Sequence, residues 1–414
     1  MRKKDNANVC NRKVELFLKN TKKRSVVCIY LMVFMMAFAL SINLFGTAQP
    51  RIIQGYRLSL EQASMFSVLQ SIGMLVSNAI IGLVVDRLDK SRVAGIMCLV
   101  MGLILLAIGS MPPFWVLLAL FALLGIVSNI VDNACASYMS DLYGDQRSKY
   151  ISILHAFYGV GAMLGPLYVG FLTDHGHQWS LAYTLLSLLV MGGAIAYLCT
   201  LKIMGKPVAL VQNTAADGTR QKAPLKAMLA SADLRILCIV SFLYAGFQMY
   251  TVWLPTYLNQ LDGQKYPLSF CAVLLSLFSG GVIVSRLING IISKFISSRD
   301  YITLVSILSG AALIIGLLGQ RKILWMAVSF SLGLLTGAIY TAKFVLACEY
   351  FPQFPATATA FTGLCTAVGS ICFHALTGAV AQRFSFTGAM FIPVCSLLAT
   401  FLLLILTRKK GKNT

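Results

Sequence analysis

The sequence predicts an all-α membrane protein of twelve transmembrane helices, arranged as two pseudo-symmetric six-helix bundles. Three observations lead there. Apolar residues make up 58% of the 414-residue chain and charged residues only 12%, against about 45 to 50% and about 25% in soluble proteins. Apolar runs of about 20 residues, the length that crosses hydrocarbon, recur twelve times. The chain also resembles itself at an offset of 208 residues: Ser71, Gly73 and Gly82 recur as Ser279, Gly281 and Gly290, while Gly55, Gly125, Gly161 and Gly170 fall on Gly263, Gly333, Gly369 and Gly378.

In chain order the runs are 25–47, 60–85, 93–111, 114–140, 149–173, 179–201, 233–257, 268–293, 301–319, 323–348, 355–381 and 386–407. The first has basic residues before it, as a signal peptide would, but its length and its match to the seventh run make it a retained helix. The chain then divides into a basic tail (1–24), an N-terminal bundle (25–201), a linker (202–232), a C-terminal bundle (233–407) and a short tail (408–414). The linker is the longest polar stretch and holds Lys202, Lys206, Pro207, Arg220, Lys222, Pro224 and Lys226. Cysteines lie almost all within apolar runs, at no metal-ligand or disulfide spacing, and read as small packing residues.

Orientation follows from the positive charges. With the first helix starting in the cytoplasm, inner segments hold 26 of the 34 Lys and Arg and outer loops six, leaving Arg286 and Lys343 inside helices. Both termini are therefore expected in the cytoplasm of a multi-pass plasma-membrane protein. The net charge of +20 is mostly topology, and the basic tail reads as a cluster touching anionic lipid rather than nucleic acid.

Duplicated helical halves around a shared interior are the pattern of secondary transporters, whose solute site sits between two bundles that rock against each other. No phosphate loop, Ser-His-Asp order or metal cluster competes, so neither an enzyme nor an ATP-driven pump is indicated, and no cofactor is expected.

Short motifs sharpen this. Gly82-Leu-Val-Val-Asp86-Arg87-Leu-Asp89-Lys90-Ser-Arg92, between the second and third runs, resembles the signature loop of the major facilitator superfamily, and Glu349-Tyr-Phe-Pro352 resembles the acidic end of the tenth helix in many members. The resemblance implies a gate on the cytoplasmic side, built from Gly82, Asp86, Arg87, Lys90, Arg92, Asp141, Arg147 and Glu349. Asp86 would face the positive end of the eleventh helix, where free N–H groups favour an anion. Its counterpart one repeat on is Lys294, so this latch is expected on one side of the pseudo-twofold only. Asp89 stands where the family usually has Gly.

A narrower likeness links Asp132-Asn133 and the stretch Leu154-His155-Ala-Phe157-Tyr158-Gly159-Val-Gly161 through Gly165-Pro166 to the fucose, glucose and galactose symporter branch. That branch carries a polar or acidic residue in helix 4 and a similar glycine-rich run in helix 5. Its proton-coupled fucose members also have an acid in helix 1, where this chain has only Ser41 and Asn43.

Of the fourteen acids, Asp132 alone sits well inside a run. A carboxylate in hydrocarbon costs a few kcal/mol, so it should face a wet cavity, pair with a cation or be protonated. Asp132 is the proton-coupling candidate, with His155 as a partner. Asn129, Asp132 and Asn133 share a polar stripe with Gly125. Tyr244, Gln248 and Thr251 recur on one face before Trp253, and Gln70, Asn43 and Arg286 add further polar groups for a substrate site. Amides bind hydroxyls and rings stack on C–H faces, which suits a multiply hydroxylated solute. Arg286 could instead hold a carboxylate. The bland alternative throughout is interhelical hydrogen bonding; Thr359, Thr366, Ser370 and His374 in the eleventh run read that way, and Lys343 reads as a lysine snorkelling to the inner surface.

The expected activity is secondary active transport of a small polar solute, a sugar or similar compound, by a protein working as a monomer and coupled to a proton or to sodium. A drug or metabolite exporter with a greasy cavity is the runner-up. A sensor that binds without translocating is the reading from another class.

Overall fold

Hydrocarbon offers backbone N–H and C=O groups no partners but each other, so isolated apolar runs of this length fold as helices. A computed structural model describes residues 2–84, 88–207, 224–260 and 266–408. The first half comprises α1 (Arg2–Tyr56), α2 (Leu60–Val84), α3 (Lys90–Gly109), α4 (Phe114–Tyr143), α5 (Arg147–Asp174) and α6 (Trp179–Met204). The second comprises α7 (Leu225–Ala230), α8 (Ala232–Gln260), α9 (Leu268–Ile292), α10 (Ser298–Gly319), α11 (Lys322–Thr336), α12 (Ile339–Tyr350), α13 (Pro355–Arg383), α14 (Phe386–Ala389) and α15 (Phe391–Leu406). Among the described residues eleven helical stretches are long and apolar enough to cross a membrane, and the 25-residue α2 fills the remaining expected run.

Packing follows the sequence repeat. In the first bundle α1 packs on α5, α2 on α4 and α3 on α6; in the second the same places are taken by α8 on α13, α9 on α11 and α10 on α15. The bundles meet where α2 lies on α13 and α5 on α9, two contacts that the pseudo-twofold exchanges, and along α1 and α8.

Two glycine pairs show why the repeat had to be kept in sequence. A Cβ on Gly125 would collide with the carbonyl of Gln70, and one on Gly333 with that of Phe278. Those partners are also 208 residues apart. Between the bundles, Gly170 is pressed on the Leu268 carbonyl and Ala272, and its mate Gly378 on the Leu60 carbonyl and Ser64. Backbone approach this close leaves room for no other residue.

The structure departs from the expected elements in several places, among them the twelfth run, which is two helices, α14 and α15, and the linker, which holds the short α7. Helix α1 runs unbroken from Arg2, through the stretch read as a tail, to Tyr56. The tenth run, expected as one helix, is two: α11 ends at Thr336 and α12 begins at Ile339. A Cβ on Gly337, between the two segments, would strike Val282 Cα and Ser285 Cβ of α9, so the interruption lies where the chain presses on α9. Lys343 does not snorkel; it is 2% exposed. Residues 208–223 of the expected linker lie outside the described residues.

At the face where the chain ends and the α2–α3 connection lie, termed the terminal face, Asp89 explains itself. Its carboxylate caps α3 by accepting the Ser91 N–H at 3.2 Å, and it pairs with Arg92 at 3.5 Å and with Lys206. Glycine could supply none of this. Lys90 Nζ donates to Asp141 at 2.7 Å, tying α3 to the end of α4. Arg147 and Glu349 are exposed, at the start of α5 and the last turn of α12. Asp86 and Arg87 lie outside the described residues, and of Gly82 only the backbone is described.

Candidate functional site

Where the two bundles meet, they enclose a cavity of about 350 Å³, within the size range of small-molecule sites. Helices α1, α2 and α5 of one bundle line it opposite α8, α9, the end of α11 and α13 of the other. Its polar wall contains Asn43, Ser67, Gln70, Ser71 and Tyr158 from the first bundle and Tyr244, Gln248, Thr251, Ser279, Arg286, Thr336 and His374 from the second. Phe45, Met74, Phe247, Met249 and Phe278 stand among its apolar lining.

The wall is held by bonds between the bundles. Ser71 and Ser370 share a hydrogen bond at 3.0 Å; Ser276 Oγ donates to the Met163 carbonyl at 2.7 Å and Ser279 Oγ to that of Ala162 at 3.3 Å. Further from the terminal face, Thr256 donates to Gln49 at 3.1 Å, the Leu60 N–H donates to Gln382 at 2.8 Å, and Arg383 Nε donates to Glu61 at 2.7 Å. These ties run from mid-molecule to the face opposite the termini. They form a floor beneath the cavity on that side.

Six of the nine substrate candidates stand in this wall: Asn43, Gln70, Tyr244, Gln248, Thr251 and Arg286. Three do not. Asn129 spends its amide on Ser77 at 2.6 Å, Asn78 at 2.8 Å and the Met74 carbonyl at 3.3 Å, all on α2, and Asn133 donates back to the Asn129 carbonyl at 2.9 Å. Trp253 is fully buried in the core of the second bundle, edge-on to Phe386.

Asp132 is half-buried on α4 with no hydrogen bond or ion pair among the described residues. Tyr158 of α5 and Tyr340 of α12 lie within electrostatic reach of both Asp132 and Arg286, so the acid of one bundle and the base of the other bracket the same central space. His155 is exposed and within electrostatic reach of Arg286; no hydrogen bond joins it to Asp132.

Two wall features escaped the sequence reading. His374 is 5% exposed, borders the cavity, and its Nδ1 has no partner. Behind Tyr244 lies Lys343, whose Nζ donates to Thr366 Oγ1 at 3.2 Å and sits 4.3 Å from the Tyr244 ring centroid. Helical periodicity placed both on polar stripes, but only the inter-bundle geometry shows which stripe looks inward.

The family model described as the Major Facilitator Superfamily matches residues 29–319. The chain belongs to the major facilitator superfamily. Its relatives within this transporter superfamily include the uncharacterized MFS-type transporter YfkL of Bacillus subtilis (strain 168), 24% identical over 75% of this chain and 77% of the relative. The glucose/mannose transporter GlcP of the same organism is also 24% identical, over 73% and 75%. Among solved structures, the nucleoside transporter NupG superposes with a TM-score of 0.74 at 16% identity, covering 93% of this chain and all of NupG. A bacterial homologue of the human lysosomal transporter Spinster gives 0.72 at 14% identity, over 92% and 96%. The superfamily fold thus accounts for the duplicated bundles and the cavity between them.

Proposed function

We propose that the protein is a secondary active carrier that moves a small polar solute, a sugar or similar hydroxylated compound, across the plasma membrane by alternating access. The observation that carries this reading is the cavity: both halves build it, and hydroxyl, amide and aromatic groups face each other across it. Hydroxyls on a solute need partners for every donor and acceptor they bring out of water, and Asn43, Gln70, Gln248 and Thr251 offer them. The glucose and mannose for which GlcP is named, and the helix 4 and helix 5 motifs of the fucose, glucose and galactose branch, point the same way.

On this reading both termini are cytoplasmic, the chain acts as a monomer, and the floor of inter-bundle ties closes the outer side. Asp132 couples transport to a proton: unpaired and half-buried beside the central space, it gains or loses charge as water reaches it. Uptake of labelled sugars into proteoliposomes, with and without an imposed pH gradient, tests the proposal. Gradient-driven entry that is lost in Asp132→Asn supports it, whereas entry unaffected by that substitution removes the coupling role. The apolar wall of Phe45, Met74, Phe247, Met249 and Phe278 favours the second reading, an exporter of drugs or metabolites; extrusion of a lipophilic dye would replace the first reading with this one.

A further inference from the structure

The charges around the cavity do not balance. Arg286 is the ionised side chain in its wall, no Asp or Glu joins it there, and no hydrogen bond or ion pair engages its guanidinium among the described residues. Behind the wall stands Lys343, also without a carboxylate partner and 2% exposed. Its ammonium has the Thr366 hydroxyl at 3.2 Å and the rings of Tyr244 and Tyr340 at 4.3 and 5.8 Å. Cys365 is within its electrostatic reach, but that sulfur is engaged with Cys238. Taking an ammonium out of water costs several kcal/mol, and one hydroxyl and a ring face return only part of that. Two cations thus stand near Tyr244 on one bundle, and Asp132 of the other bundle, which shares Tyr158 and Tyr340 with Arg286 as electrostatic neighbours, does not line the cavity.

We propose that the transported solute is an anion: a small hydroxylated acid whose carboxylate or phosphate docks on Arg286, with Lys343 adding a second positive charge from behind Tyr244. The proposal deepens the polar-solute reading and rests on it. Guanidinium presents planar paired donors that match either acid group, and a cation in a low-dielectric wall acts over longer distances than it would in water. The amides of Asn43, Gln70 and Gln248 then receive the hydroxyl groups.

Counterflow with the full-length protein in proteoliposomes tests this, using glucose, glucuronate and glucose 6-phosphate as probes; the last two separate carboxylate from phosphate. At least one acid is expected to exchange about tenfold or more faster than glucose. Arg286→Gln should abolish that preference and Arg286→Lys should restore part of it. Lys343→Met should reduce the preference several-fold and keep or raise the unfolding midpoint, because an unpaired buried charge has been removed. A purely structural lysine would lower the midpoint and leave the ratio alone. Glucose exchanging as fast as both acids, or an acid preference that survives both Arg286→Gln and Lys343→Met, overturns this inference and leaves the polar-solute carrier standing. Failure of all three probes to exchange overturns both.

Discussion

Arg383 Nε donates to Glu61 Oε1 at 2.7 Å, joining the end of α13 to the start of α2 across the two bundles. One repeat away the matching positions are His175 and Ser269, so this closure exists on one side of the pseudo-twofold only. Both side chains are partly exposed, and such a pair contributes about 0.5 kcal/mol or less. Arg383→Ala should therefore shift the balance between states about twofold rather than collapse the fold. Spin labels at Gln54 and Arg321, exposed on opposite bundles at that face, should show the longer-distance population growing by about that factor. An unchanged distance distribution would deny the pair any part in closure.

Gly125 tests the packing of the repeat. Alanine there forces the α2 backbone away from α4, an overpacking cost of about 1–3 kcal/mol, and Gly333→Ala should cost a similar amount in the other bundle. Gly192, with nothing within 4 Å of a built Cβ, is the control and should accept alanine without loss. Unfolding midpoints in one detergent would rank the three.

His374 separates binding from stability. Its Nδ1 borders the cavity unpartnered, so replacing it by leucine removes a buried polar atom that the resting structure leaves unsatisfied. His374→Leu should keep or raise the unfolding midpoint yet weaken solute affinity about two- to tenfold, the worth of one hydrogen bond. A fall in stability with unchanged affinity would return the residue to a packing role.

Asp89 can be dissected by its two simplest replacements. Asp89→Ala loses the α3 cap and the ties to Arg92 and Lys206 and should cost about 1 kcal/mol. Asp89→Gly loses the same contacts but suits the cap position better, so its cost should be smaller by several tenths. Thermal unfolding of the two side by side reads the difference; equal losses would mean that the ion pairs, and not the cap, matter.

Much of the fold was legible because its constraints act on the backbone. Gly125, Gly333, Gly170 and Gly378 touch carbonyls, and a contact that tolerates no side chain leaves the same letter in both halves. Chemistry around the cavity was less legible. Asn129 and Gln248 sit on equally polar helical stripes, yet one is consumed by α2 and the other faces the cavity, a distinction that depends on the neighbour and not on the periodicity. Lys343 was misread for a related reason: its distance along the helix from the terminal face suggested an escape to water, but α13 and Tyr244 cover that path. Nothing local marks Gly337 as a break either, since what is special there is its close approach to α9.

That interruption makes the two bundles unequal. Phe114–Tyr143 is one stiff rod, whereas its partner by symmetry is jointed between Thr336 and Ile339, with Thr336 and Gly337 forming part of the cargo chamber. Compliance should concentrate in the jointed half, letting the segment that bears Lys343 swing about a knuckle while the opposing rod keeps Asp132 nearly stationary.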